Sequence, residues 1–128
     1  DWRLLEVKTA KAKRFDELLA AGSYRAWNPG YYDQVQAYMG ASQTASDVPA
    51  LSDCLVVVVC KDDARLHCEM IRLDHDHYAQ LEAKTRTAMG DEMPNRPDQA
   101  RGKSSAFCKW CSRAQWCYSA LAGVDFDE

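Results

Sequence analysis

The chain has 128 residues, 47% of them hydrophobic and 27% charged, with a formal net charge of −3. That length suits one domain with a real core, and that composition excludes a disordered polyelectrolyte. The longest wholly apolar run, Leu55 to Cys60, is too short to span a bilayer, and no signal-peptide pattern opens the chain. A soluble, cytoplasmic protein with no membrane partner is expected. Charge is segregated, however. Lys8, Lys11, Lys13 and Arg14 form one basic cluster, and Arg96, Arg101, Lys103, Lys109 and Arg113 form another. Such patches can touch phosphates while the rest of the surface stays acidic.

In chain order, Asp1 to Thr9 reads as a strand rich in Leu and Val, already under way at the first residue. Phe15 to Ala21 has helical spacing and stops at Gly22. Asn28-Pro29-Gly30 is a turn signal, and Tyr31 to Met39 reads as a second helix ending at Gly40. Ala41 to Pro49 is a loop. Leu55 to Val59 is a continuous apolar run, expected to form a strand buried on both faces. Lys61 to Ala64 turns the chain into a second strand, Arg65 to Arg72, giving a hairpin. Asp74 caps a helix from His75 to Met89, closed by Gly90. The order predicts a mixed α/β domain. Met93 to Ser105 then connects to a cysteine-rich C-terminal segment.

Three motifs carry chemistry. In Glu6-Val7-Lys8 the outer residues are two apart on a strand, so carboxylate and ammonium share one face. The Glu6 carboxylate and the Val7 carbonyl offer oxygen ligands to Mg²⁺ or Mn²⁺. Lys8 can orient or deprotonate a water and offset charge on a phosphate. A surface ion pair is the plainer reading, but Leu4, Leu5 and Val7 argue for a core strand, where a charged pair is costly. The second motif, Gln34 and Tyr38, puts an amide and a phenol four residues apart on one helical face. Its plainer reading is an amphipathic helix with Tyr31, Val35 and Tyr38 toward the core. The third is Cys108, Cys111 and Cys117, spaced C-x2-C-x5-C. Three thiolates so close suit Zn²⁺ or an iron–sulfur cluster, with a fourth ligand from elsewhere. Cys54, Cys60 and Cys68 read instead as core cysteines. His75 and His77, two apart at a helix start, do not converge on a metal.

Glu6-Val7-Lys8-Thr9, then Pro29-x-Tyr31 leading into Gln34 and Tyr38, then a strand pair and the C-x2-C-x5-C run, resembles the RecB-like branch of the PD-(D/E)XK nucleases. It is similar to the iron–sulfur nucleases of that branch: CRISPR-associated single-strand exonucleases, AddB-type nuclease domains and phage relatives. The resemblance runs from residue 1 to about residue 118. It implies a single restriction-endonuclease-like domain over residues 1–128, a mixed central sheet flanked by helices with a C-terminal cysteine cluster. The implied activity is metal-dependent DNA hydrolysis, with single strands or DNA ends as substrate. Glu6 would hold metal and Lys8 would be the catalytic lysine. Gln34 and Tyr38 would position DNA, and Cys108, Cys111 and Cys117 would hold three corners of a [4Fe–4S] cluster. The family sets a further metal-binding Asp and a first cluster cysteine before the Glu. Neither matches here, so an upstream portion is expected. The alternatives are an inactive nuclease-like module that binds DNA or protein, and a zinc-binding interaction domain.

Overall fold

The structure, a computed structural model, describes residues 2–90. Residues 2–89 belong to one compact unit ending at Met89. The connector and Cys108, Cys111 and Cys117 lie outside the described residues. The element order is β1 (Leu4–Ala10), α1 (Ala12–Ala21), α2 (Tyr24–Trp27), α3 (Pro29–Ser42), β2 (Asp53–Cys60), β3 (Leu66–Arg72) and α4 (His75–Met89). Strand β1 pairs parallel with β2, and β2 pairs antiparallel with β3, so the expected mixed sheet and hairpin both form.

Local chemistry sets the helix ends. Gly22 takes the left-handed conformation (φ 76°) and its N–H closes α1 on Leu18 O, as its place after the helical run predicts. The Asp74 carboxylate accepts from His77 N at 2.9 Å and caps α4. Asn28-Pro29-Gly30 is part of a helix start rather than a separate turn. The Asn28 side chain accepts from Tyr31 N, and Pro29 occupies the first helical position, where its missing N–H costs nothing. Helix α3 also runs past Gly40 to Ser42. At Gly40 the backbone approaches α4 so closely that an added methyl would overlap the Tyr78 ring. Close packing, not a helix stop, accounts for this glycine.

The core lies on one face of the sheet. Cys54, Val56, Val58 and Cys60 of β2 are buried beneath Phe15 and Leu18 of α1, Tyr24 of α2, and Tyr32, Val35 and Met39 of α3. Two expectations are corrected here. The apolar run in β2 is not buried on both faces, because its burial alternates residue by residue. Rows Leu5–Leu55–Met70 and Val7–Val57–Cys68 form an opposite face on which Leu5 and Val7 are more than half exposed. Second, Tyr31 and Tyr38 do not face the core. Tyr32, Val35, Gln36 and Met39 do, one helical step round.

Gln36 is fully buried, and both ends of its amide are hydrogen-bonded. Its Nε2 donates to Arg72 O at 2.9 Å, and its Oε1 accepts from Asp74 N at 2.8 Å. The side chain therefore ties α3 to the link between β3 and α4. Gln36→Ala should lower stability by roughly 1–3 kcal/mol, because both backbone groups lose their partner. Thermal unfolding of the variant against the parent checks this.

Candidate functional site

Strand alternation puts Leu4, Glu6, Lys8 and Ala10 on the helix-covered face of β1. The Glu6 and Lys8 side chains are 15% and 21% exposed, too buried for an ordinary surface pair, and lie 2.6 Å apart. Helix α3 completes their surroundings. Lys8 Nζ donates to Gln34 Oε1 at 3.0 Å, and Gln34 Nε2 donates to Tyr38 Oη at 2.7 Å. The four residues singled out in two separate motifs thus form one hydrogen-bonded chain, from Glu6 through Lys8 and Gln34 to Tyr38. The orientation of the Gln34 amide follows from the ammonium, since only its oxygen can accept from Lys8.

Tyr31 joins this group, with its ring centroid 4.4 Å from Lys8 Nζ. It was expected to face the core, yet it shares the stripe of Gln34 and Tyr38 at spacings of three and seven. That stripe is the signal that marks it. An ammonium has three donors. Two of the Lys8 donors go to Glu6 and Gln34; the third makes no hydrogen bond among the described residues and has the Tyr31 ring beside it.

The neighbouring strands add a second polar pair. Glu6, Val56 and Glu69 lie abreast across the sheet, as do Lys8, Val58 and His67. Glu69 accepts from Tyr24 N at 2.7 Å and lies 3.3 Å from His67 Nε2. Burial, then the Glu6 charge, pushes the Tyr24 hydroxyl well above the usual phenol range. Burial first and the same carboxylate second push the Cys54 thiol up to about 11. Both groups stay protonated at neutral pH, so neither presents an anionic nucleophile. Nothing in the sequence beyond strand parity marked Glu69.

Glu6 and the Val7 carbonyl are oxygen donors of the type a hard cation takes. Ala10 O accepts from Lys61 N at the β2 end. Carbonyls alternate along a strand, so those of even-numbered residues point toward β2 and that of Val7 points toward the opposite edge. Among the described residues no group of three or more His, Cys, Asp or Glu side chains could enclose a metal ion. Mg²⁺ is commonly held by one or two carboxylates plus phosphate and water rather than by an all-protein cage, and Glu6 is the carboxylate on this strand that such an ion would use. His77 is committed elsewhere, with Nε2 2.7 Å from Asp33 Oδ1. Cys54 and Cys60 are buried as expected, but Cys68 is exposed on the open sheet face.

The described fold and site define an α/β domain with a half-buried lysine held between a carboxylate and an amide. No family model matches the chain, and no curated protein gives a significant match. No helix among the described residues is long and apolar enough to cross a membrane.

Proposed function

We propose that this protein is a metal-dependent DNA nuclease of the PD-(D/E)XK type. The observation that carries the reading is the hydrogen-bonded chain Glu6–Lys8–Gln34–Tyr38, which joins residues 26 positions apart around one ammonium group. A merely structural ion pair needs no such amide and phenol.

Glu6 and the Val7 carbonyl would hold Mg²⁺ or Mn²⁺. When bound, such an ion polarises a phosphate oxygen and lowers the pKa of a coordinated water. The protein's own groups supply the rest. Lys8 turns its free donor toward the scissile phosphate and offsets the charge that builds there as water adds to phosphorus and the ester oxygen leaves. Gln34 keeps the ammonium from swinging away. Tyr38, whose hydroxyl accepts from Gln34, retains its own proton for a DNA phosphate. Cys108, Cys111 and Cys117 are proposed as ligands of a structural [4Fe–4S] cluster.

Incubating the intact protein with end-labelled DNA tests the reading. Cleavage should need Mg²⁺ or Mn²⁺ and stop with a chelator. Absence of any cleavage under anaerobic, metal-replete conditions would defeat it. Gln34→Ala should lower turnover by roughly ten- to a hundred-fold through misplacement of Lys8. Its melting temperature should stay near the parent's, because Gln34 is not part of the core. Tyr38→Phe should have a smaller effect on turnover and raise KM. Parental kinetics in both variants would make the motif structural only.

A further inference from the structure

Beside the Lys8 site, at the carboxyl ends of the two parallel strands, lies a cleft of about 290 Å³. In open α/β sheets this end is where ligands bind. Thr9, Ala10, Lys11, Arg14, Trp27, Tyr31 and Lys61 line it. The lining holds three cations and no acid. Lys61 belongs to the turn after β2, yet its N–H bonds Ala10 O at 2.8 Å, which brings its side chain beside the basic run after β1. Arg14 lies 5.2 Å from the Trp27 ring centroid and pairs with Glu17. Neither Lys11 nor Lys61 makes an ion pair among the described residues. Asp62, next to Lys61, is engaged by Ala12 N at 2.7 Å.

Unpaired cations beside two aromatic rings suit an anion joined to a flat ring. The volume is at the small end for ligand sites, enough for one nucleotide and too small for a duplex. Tyr31 is shared between this cleft and the Lys8 ammonium, so an occupant would lie next to the reacting phosphate. We propose that the cleft binds one unpaired nucleotide of a DNA strand beside the cleaved bond. Lys11 and Lys61 hold its phosphate, and its base lies against the rims of Trp27 and Tyr31, whose ring faces already carry Arg14 and Lys8. The position beside the cleaved bond rests on the nuclease reading; the binding does not.

The test is binding of a fluorescent oligothymidylate to the full chain in the presence of a chelator, so that no cleavage intervenes. Lys11→Ala combined with Lys61→Ala should weaken binding about ten-fold or more. The same variant should flatten the dependence of log affinity on log salt by about 0.7, one phosphate's worth for a single strand. Both lysines are exposed, so the fold should persist, which circular dichroism verifies. Arg72→Ala combined with Lys84→Ala removes the same charge elsewhere and should bind like the parent. Parental affinity and slope in the cleft variant, or an equal loss in the charge-matched control, would overturn the proposal. An equal loss for a blunt duplex would overturn it too. A parent that binds through these lysines but never cleaves would defeat the nuclease reading and leave the cleft standing. A parent that cleaves while binding independently of them would do the reverse.

Discussion

Lys8→Ala should reduce DNA cleavage by roughly 10²–10⁴-fold, the usual contribution of a positioned group acting on a proton or a developing charge. Glu6→Gln should do at least as much, because it removes the carboxylate proposed to hold metal. DNA affinity should change little in either case, since phosphate contacts are spread over several basic side chains. The difficulty with such variants is that each leaves a half-buried partner unpaired, so lost activity can be mistaken for lost folding. A double variant resolves it. Replacing a buried ion pair by apolar residues of similar volume is often neutral or stabilising. Glu6→Leu combined with Lys8→Met should therefore melt at or above the parental temperature while showing no cleavage. That combination is the signature of a pair kept for chemistry. Undiminished Mn²⁺-dependent cleavage by Lys8→Ala would remove Lys8 from the mechanism. A double variant that fails to fold would make the pair structural.

Much of this site was legible because strand parity and helix periodicity are short-range rules. Glu6 and Lys8 share a face by the period of two, and Gln34 meets Tyr38 by the step of four. That these two pairs meet each other is a tertiary fact. It depends on how α3 packs on the sheet, which no local spacing encodes. The same limit explains Tyr31. Apolar content alone assigned it to the core, whereas the rotation of α3 is set by Tyr32, Val35 and Met39 packing on β2. Val35 belonged to both candidate faces, so the sequence pattern was ambiguous by one helical step. The glutamines show the point most sharply. Gln34 and Gln36 are two apart and therefore point to different sides of the helix, one to the lysine and one to buried backbone groups. Lys61 was read as part of a polar turn, which it is. Its nearness to Lys11 comes from the parallel register of Ala10 with Cys60. In β2, a run of four valines suggested burial on both faces, because hydrophobicity says nothing about whether a second layer is present.

The cysteines give the other large expected effect. Two of the six, Cys54 and Cys60, are buried in the core, so they are poor candidates to complete a metal site with Cys108, Cys111 and Cys117. Burial and the Glu6 charge push the Cys54 thiol up to about 11. Cys68 is exposed, and is the described cysteine to which the zinc alternative would have to turn. The intact protein, purified without oxygen, should carry about four irons per chain and be brown. Cys108→Ser, Cys111→Ser or Cys117→Ser should each lose that iron and melt at a lower temperature, because the free energy of binding a structural metal centre is also folding free energy. Cys54→Ala and Cys60→Ala should keep full iron content, with at most a modest loss of stability from the small cavity left behind. Cys68→Ser decides between the metals: unchanged iron and colour are expected if the cluster reading holds. Stoichiometric zinc in the colourless parent, lost on Cys68→Ser, would instead make this a zinc-binding interaction domain. Full iron in Cys111→Ser would remove that residue from the ligand set.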